Sequence, residues 1–298
     1  MHTVPNPGDA FPDRPSESAS GAAQRSMWIT PGRVFYAGLL GAPSVRRMGG
    51  WIIYFSGVAP LRLSFDTTQP PGGDAWRQGE LGIVAPYRPH RVACDARHLS
   101  DLIIEPERID VARLEGPLAG LLQGGEGVFD VTHPAAAALL AHLRDAQRRL
   151  VLQSDALPQD DAAFDAFVFG TPLPARNLDS RIDRALALLD EADDSPASAQ
   201  VLAAAVNLSF SRFVHLFKEE VGVPLRTFRS WKRARSVLKY VRQEANLTQI
   251  AQHTGYPDSA HFSRSIREVF GLQPKNMMAG SRRIALHGGP GGGSRLTR

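Results

Sequence analysis

The feature that constrains this chain most is a pattern that occurs twice in its last third: a short apolar helix, a tight turn and a longer amphipathic helix. The turn falls at residues 207–209 in the first copy and at residues 254–257 in the second. Gly222 and Gly271 follow the longer helices, where a glycine commonly ends a helix. One copy would be weak evidence, but two at a regular spacing predict a pair of helix-turn-helix units.

Each longer helix combines an apolar face with a polar one. Ser209 and Asp258 are suited to cap the two N-termini, because their side chains can accept a hydrogen bond from a free backbone N–H group. The apolar positions recur at helical spacing and are therefore expected to point inward. They are Phe213, Leu216 and Phe217 in the first helix and Phe262, Ile266, Val269 and Phe270 in the second.

A single long helix is predicted between the two units, over residues 224–244. Pro224 suits its first turn. About twenty residues at roughly 1.5 Å each give a length of about 30 Å. That length approaches the roughly 34 Å of one turn of B-DNA, so the two longer helices could enter successive major grooves on one side of a duplex.

The distribution of charge agrees with a polyanionic partner for this end of the chain. The formal net charge is +4. Residues 1–178 contain 16 Arg, no Lys and 19 acidic residues, whereas residues 205–283 contain 14 basic and 5 acidic residues. The C-terminal part is therefore strongly basic, which indicates nucleic acid or an anionic surface without choosing between them.

The tandem units resemble the DNA-binding domain of AraC/XylS transcription regulators over their whole length, about a third of the chain. The residues that carry the resemblance are Val201-Leu202-Ala203, Asn207-Leu208-Ser209, Phe213, Phe217-Lys218, Gly222, Ile250-Ala251, Gly255-Tyr256-Pro257-Asp258-Ser259, His261-Phe262-Ser263-Arg264, Gly271 and Pro274. Two positions depart from the family pattern. Ile266 replaces a Phe, which a core tolerates, and Met277-Met278 replaces a Tyr-Arg pair, which removes a cation near the phosphates.

The resemblance implies a sequence-specific transcriptional regulator that binds double-stranded DNA and acts with RNA polymerase, as an activator or a repressor. It assigns base reading to Ser211, Arg212, His215, Ala260, His261 and Arg264. Phosphate contacts are expected from Ser209, Lys218, Arg229, Lys232, Ser259 and Arg267. Arg264 is the strongest candidate because a guanidinium can bond guanine O6 and N7 together. The alternative for His215 and His261 is a surface histidine near a phosphate or solvent.

The N-terminal part has the residue pattern of short β-strands separated by turns. Short apolar segments between residues 28 and 107 are separated by Gly and Pro, and turns are expected at residues 70–74 and at Pro86. The predicted fold class is therefore α+β, with a small β-barrel or sandwich and following helices before an all-α C-terminal domain. Residues 79–90 are similar to the barrel hairpin in the sensor domains of AraC-type regulators, which implies a cupin-like barrel.

A small-molecule effector is one role for such a barrel. The candidates to line its pocket are Trp51, Tyr54, Arg62, Trp76, Arg88 and His90, although aromatic residues in a barrel of this size are more commonly plain core. No metal and no cofactor are expected, because His90 has only His98 near it in sequence and no His-x-His pair exists there.

A helix is predicted over residues 133–153, with Leu139, Leu143 and Leu150 on one face. This face could dock on the barrel, or it could pair with its counterpart in a second subunit and form a homodimer. The sequence leaves both alternatives open.

The expected division of the chain has five parts. They are a disordered tail at 1–27, a cupin-like sensor and dimerisation domain at 28–170, a linker at 171–178, the DNA-binding domain at 179–283 and a disordered tail at 284–298. The first residues lack the apolar segment of a signal peptide, and no apolar run is long enough to cross a bilayer, so a cytoplasmic protein is expected. Cys94 is the single cysteine, which excludes an internal disulfide.

The main alternative function is a cupin-type metalloenzyme with a basic tail that binds DNA or RNA. Such an enzyme would need a metal site or an acid-base cluster between residues 28 and 107. The sequence shows no such cluster there, so the protein is not expected to be an enzyme.

Overall fold

A computed structural model describes residues 25–287 apart from 58, 69–74, 97, 153–156, 158, 192–197, 242–245 and 282–284. The strands are β1 (Ser26–Ile29), β2 (Arg33–Leu39), β3 (Trp51–Phe55), β4 (Leu61–Ser64), β5 (Arg77–Gly79), β6 (Leu81–Val84), β7 (Arg91–Cys94), β8 (His98–Ile104), β9 (Gly127–Phe129) and β10 (Ala285–His287). The α-helices are α1 (Gly116–Gln123), α2 (Pro134–Leu152), α3 (Asp161–Phe169), α4 (Ser180–Glu191), α5 (Ala199–Ala205), α6 (Phe210–Val221), α7 (Leu225–Ser236), α8 (Leu247–His253), α9 (Ser259–Phe270) and α10 (Pro274–Ser281). This order confirms the predicted α+β class. No helix in these ranges is long and apolar enough to cross a membrane.

The N-terminal strands form two sheets that face each other. Within the described ranges, one sheet has the order β10-β1-β2-β8-β3-β6-β9 and the other has the order β5-β4-β7. Ile52 and Tyr54 of the larger sheet pack in one apolar cluster with Leu61 and Leu63 of the smaller sheet. The sheets approach closely at Gly82, where any Cβ atom would fall on the side chain of Leu63. The prediction of a small β-barrel or sandwich is confirmed.

Helices α1, α2 and α3 cover the outer face of the larger sheet. The stripe of α2 is buried there: Leu139, Leu143 and Leu150 are only 1%, 0% and 2% exposed. They share an apolar cluster with Ile53 and Phe55 on the same sheet. The predicted dimer helix is therefore corrected, because a face buried against the chain's own barrel cannot also cover a second subunit.

The first helix-turn-helix unit consists of α4, α5 and α6 around their own apolar cluster. Phe213 and Phe217 lie in its centre, at 0% exposure. The side chain of Ser198 caps α5, and that of Ser209 caps α6 as the sequence predicts. Gly222 ends α6 with a φ of 88°, a left-handed conformation that favours glycine.

The second unit repeats this design with α8 and α9. Asn246 and Gln249 form a reciprocal capping box at the start of α8, and Asp258 caps α9. Gly271 ends α9 with a φ of 69°. The two predicted units are therefore present with the predicted caps and stops.

The connecting helix is shorter than predicted. The α-helix α7 has 12 residues and gives way to a 3-10 turn at Val237–Tyr240. At roughly 1.5 Å per residue its length is about 18 Å. The expectation of one straight α-helix over residues 224–244 is thus wrong for residues 237–240, and residues 242–244 lie outside the described ranges.

The C-terminal segment returns to the barrel. Ala285, Leu286 and His287 pair in parallel with Ser26, Met27 and Trp28 of β1, so part of the predicted tail at 284–298 is an edge strand. Residues 26 and 27 likewise belong to β1 rather than to a tail. The remaining residues of the two predicted tails, apart from Arg25, lie outside the described ranges.

Candidate nucleic-acid interface

A groove lies between the two longer helices, α6 and α9, and α7 contributes to its lining. Its volume is about 990 Å³. The charged side chains on its walls are almost all basic, and the acidic one is Glu268. The basic and histidine side chains in the lining are His215, Lys218, Arg226, Arg229, Arg233, His261 and Arg264. A concave basic surface of this kind raises the local concentration of a polyanion.

Helix α6 presents its predicted base-reading residues to solvent. Ser211, Arg212 and His215 are all exposed, because the opposite face of the helix carries the buried Phe213 and Phe217. Of the three, His215 lines the groove. Ser209 uses its Oγ to accept a hydrogen bond from the Arg212 N–H at 3.3 Å, so its hydroxyl is engaged in capping the helix.

Helix α9 presents its predicted residues in the same way. Ala260, His261 and Arg264 are exposed, and so are the phosphate candidates Ser259 and Arg267. His261 and Arg264 line the groove opposite α6. The ring of His261 lies 5.6 Å from that of Tyr256.

The cations of α7 are divided between two faces. Arg226, Arg229 and Arg233 follow one another at intervals of three and four residues and line the groove. Arg233 lies over the ring of Tyr256, 5.4 Å from its centre. Lys232 and Arg235 point away from the groove, toward the barrel. One helix therefore supplies both the groove and the contact between the two domains.

Lys232 is placed differently from the sequence prediction. Its Nζ forms an ion pair with Glu105 and lies 3.3 Å from Glu107 Oε1 and 3.7 Å from Asp190 Oδ1. Burial lowers the pKa of Lys232, but the charges of Glu105 and Glu107 outweigh burial and raise that pKa above its ordinary value. An ammonium that is ion-paired with the buried Glu105 and flanked by Glu107 and Asp190 is not available to a phosphate, so this assignment is corrected.

Sequence reasoning missed part of the groove. Phe210 is 49% exposed at the first turn of α6, and it lines the groove together with Val214. In the sequence, Arg226 and Arg233 count only toward the general excess of basic residues in the C-terminal part. Their spacing relative to Arg229 is the signal that could have separated this face from that of Lys232 and Arg235.

The six candidates for an effector pocket are not gathered in one place. Tyr54 and His90 are in contact inside the barrel, where the Tyr54 hydroxyl and His90 Nε2 are 2.9 Å apart. His90 Nδ1 lies 2.9 Å from the Arg88 carbonyl, so both ring nitrogens have partners. Burial lowers the pKa of His90 to about 3. Its placement agrees with a structural histidine.

The other four candidates point elsewhere. Trp51 packs with the cluster under the helices, on the opposite face of β3 from Tyr54. Arg62 is ion-paired with Asp95, and Arg88 Nε lies 3.0 Å from Glu126 Oε1. Trp76 is half-buried just before β5. The proposed common pocket is therefore corrected. In the ranges that the structure describes, no three His, Cys, Asp or Glu side chains are grouped so that they could hold a metal ion.

Comparison with known proteins identifies the C-terminal domain. Residues 202–280 match a family model described as a helix-turn-helix domain. That domain is of the AraC type. The Invasion protein InvF of Salmonella typhi and the InvF of Salmonella typhimurium are each 32% identical to this chain over 71 residues, which are 24% of the chain and 33% of the relative. The match thus spans a third of the relatives' length.

A solved structure resembles more of the chain than its AraC-type domain. ToxT from Vibrio cholerae O395 is similar over 83% of this chain and 96% of its own, with a TM-score of 0.52 and 10% identity. At this level of identity the likeness concerns the fold, in which a barrel precedes an AraC-type domain.

Proposed function

We propose that this protein is a sequence-specific DNA-binding regulator of transcription, whose α6 and α9 read two successive major grooves. The observation that carries the proposal is the groove in which both helices face a common, predominantly basic surface. Positive side chains on this surface would neutralise phosphates, which supplies affinity without regard to sequence. Exposed side chains at the starts of the two helices would supply the base contacts.

The assigned roles follow from exposure and chemistry. Ser211, Arg212 and His215 would meet bases in one half-site, and Ala260, His261 and Arg264 in the other. Arg264 is exposed and its guanidinium can bond guanine O6 and N7 together. Phosphates would be contacted by Lys218, Arg229, Ser259 and Arg267, with Arg226 and Arg233 added from the groove. Ser209 would contribute through the helix start that it caps.

The decisive experiment separates base reading from general attraction to DNA. Bound sequences are first selected from random duplexes, and affinity for the selected site and for unrelated duplex is then measured over a salt series. We expect Arg264→Ala to weaken binding to the selected site by about 1–3 kcal/mol while binding to unrelated duplex changes little. The matched control is Arg113→Ala, an exposed arginine of the N-terminal part that lies outside the groove lining.

Two results would contradict the proposal. One is an equal loss on both kinds of duplex, which would limit Arg264 to phosphate contact. The other is the absence of any preferred site at any salt concentration, which would leave only a nonspecific DNA-coating protein.

Partners beyond DNA are part of the same proposal. A regulator of this kind acts on RNA polymerase and therefore in the cytoplasm of a bacterium. A homodimer would have to use a surface other than Leu139, Leu143 and Leu150, since these are buried against the barrel. An effector that binds the barrel would have to use a site other than the six residues predicted together.

A further inference from the structure

The loop between β2 and β3 reaches from the barrel to the end of the second reading helix, α9. The Arg47 N–H group donates to the carbonyl oxygens of Glu268 and Val269, at 3.2 and 3.0 Å. The hydroxyl of Ser44 donates to the carbonyl of Gly271. Carbonyls in the last turn of a helix have no partner within that helix. A barrel loop therefore completes the hydrogen bonding of a helix that belongs to the AraC-type domain.

A second contact joins the barrel to α7. Glu105, at the end of β8, is 0% exposed. Its carboxylate accepts a hydrogen bond from Trp231 Nε1 at 3.2 Å, lies 3.0 Å from Arg235 Nε and pairs with Lys232. Burial raises the pKa of Glu105, but the charges of Lys232 and Arg235 outweigh burial and hold that pKa below its ordinary value. One buried carboxylate thus binds three side chains of a single helix.

Apolar packing shows the same connection. Trp231 lies against Gly49 of the barrel loop, where a Cβ atom would fall on the indole ring. Beyond Trp231, the buried side chains of α7, α8 and α9 form one cluster with the barrel interior, whereas Leu225 and Phe228 at the start of α7 belong to the separate cluster of the first unit. The first half of α7 is therefore tied to α6, and its second half is tied to the barrel.

We propose that the barrel sets the position of α9 relative to α6, with Glu105 as the main positioning residue, and so determines which half-site spacing the protein accepts. This proposal rests on the proposed function. Helix α7 alone does not fix the distance between α6 and α9 well. It gives way to a 3-10 turn after Ser236, and 3-10 segments have weaker hydrogen-bond geometry. One base pair of extra spacing displaces a half-site by about 3.4 Å and rotates it around the duplex.

Two substitutions at separate positions on the barrel side of the interface test the proposal. Glu105→Gln keeps the size of the side chain and removes the charge that Lys232 and Arg235 share. Gly49→Ala places a methyl group against Trp231 without touching any groove residue. Each has a matched control: Glu115→Gln at an exposed glutamate, and Gly57→Ala at a position where a Cβ atom would have nothing within 4 Å.

The measurement is the affinity of the full chain for a set of duplexes that differ in half-site spacing. The set is made from the selected site by inserting or deleting single base pairs between its half-sites. For the unaltered protein we expect each such change to weaken binding by about tenfold or more, a loss comparable to that of one mismatched base pair. Glu105→Gln and Gly49→Ala should reduce this discrimination several-fold, while base substitutions within a half-site keep their usual effect. Both control variants should match the unaltered protein.

Several results would overturn the proposal. Folded Glu105→Gln and Gly49→Ala proteins that keep full spacing discrimination would do so, as would an equal loss of affinity at every spacing. If neither variant folds, the decision falls to Ser44→Ala, which removes one hydroxyl and should lower the discrimination to a smaller extent. Failure of the proposed function would look different, since no selected site would then exist.

Discussion

The two helix-turn-helix units of this protein are alike in sequence but differ in what stabilises them. The first unit encloses its own core around Phe213 and Phe217. The second unit, with Phe262 and Ile266, shares one continuous cluster with the interior of the barrel. Its longer helix is also capped at the C-terminus by Arg47 from a barrel loop.

This difference shows that a sequence repeat need not be an independent structural unit. A helix pair buries one apolar stripe on its partner and leaves a second face that must be covered. In the first unit α4 supplies that cover. In the second unit the barrel supplies it. We therefore expect a change in the barrel to affect the position and stability of α9 more than those of α6.

The largest effect should come from emptying the two cores. Phe213→Ala and Phe262→Ala each remove a fully buried ring and should each cost about 3–5 kcal/mol of the free energy of unfolding. We expect Phe213→Ala to weaken hydrogen-exchange protection mainly in α5 and α6, and Phe262→Ala to weaken it in α8, α9 and the barrel. If Phe262→Ala left the barrel amides fully protected, the second unit would be as independent as the first.

A comparable effect is expected from one of the two faces of α7. Lys232→Met would leave Glu105 and Glu107 buried without their ammonium partner and should destabilise the protein by about 3–5 kcal/mol in urea unfolding. Arg226→Met, on the exposed groove face, should change stability little. It should instead lower the slope of log affinity for DNA against log salt by about 1. The same response to both substitutions would contradict the division of the helix into two faces.

A smaller effect should come from the first caps of the units. Asn246→Ala and Ser198→Ala each remove a side-chain oxygen that accepts a backbone N–H, at the starts of α8 and α5. Each should cost about 1 kcal/mol. We expect Asn246→Ala to lower the midpoint of the main unfolding transition, which includes the barrel. We expect Ser198→Ala to reduce hydrogen-exchange protection in α5 alone. A reversed pattern would argue that the first unit is the one coupled to the barrel.

The last effect is a dependence of stability on pH, which develops gradually over several pH units. Burial, together with the charge of Glu105, raises the pKa of Glu107 to about 8 in the folded protein, whereas its ordinary value is 4.5. The folded state therefore holds a proton that the unfolded state releases, so the contribution of this group to stability falls as pH rises from about 4.5 to about 8. The ammonium of Lys232 lies beside Glu107 and limits the rise in its pKa. The pKa of the Tyr87 phenol is raised by burial and by the charge of Glu107, so Tyr87 stays protonated over this range.

Glu107→Gln removes this titrating group at nearly constant size. Urea unfolding at pH 5.5 and pH 8.5 should show a smaller loss of stability for the variant than for the unaltered protein. Equal losses for both would mean that Glu107 is ionised throughout this range.

Much of the architecture could be predicted from the sequence because it depends on local rules. The caps at Ser209 and Asp258 and the glycine stops at Gly222 and Gly271 all act within a few residues of their position in the chain. The exposed faces of α6 and α9 followed from the same helical periodicity. The strands around Trp51–Phe55 and Leu81–Val84 were likewise visible as apolar segments between turns.

Local rules could not predict which surfaces would meet. Lys232 and Arg229 look equivalent in the sequence, and only the approach of Glu105, 127 residues earlier, separates them. Trp51 and Tyr54 lie three residues apart in β3, so they point to opposite faces of the sheet. Only the packing of the smaller sheet on one face and of the helices on the other decided that Tyr54 faces the barrel interior and Trp51 does not. The stripe of α2 satisfied two alternatives equally, and the sheet beneath it decided between them.

The sequence by itself determined the longer helices of the two helix-turn-helix units, their caps and the excess of positive charge around them, since each follows from residues near one another in the chain. The tertiary structure alone decided that the barrel completes the second unit and divides the cations of α7 between a groove and a buried carboxylate. The reason is physical: burial and ion pairing depend on groups far apart in the chain, and their partners exist only once the fold brings them together.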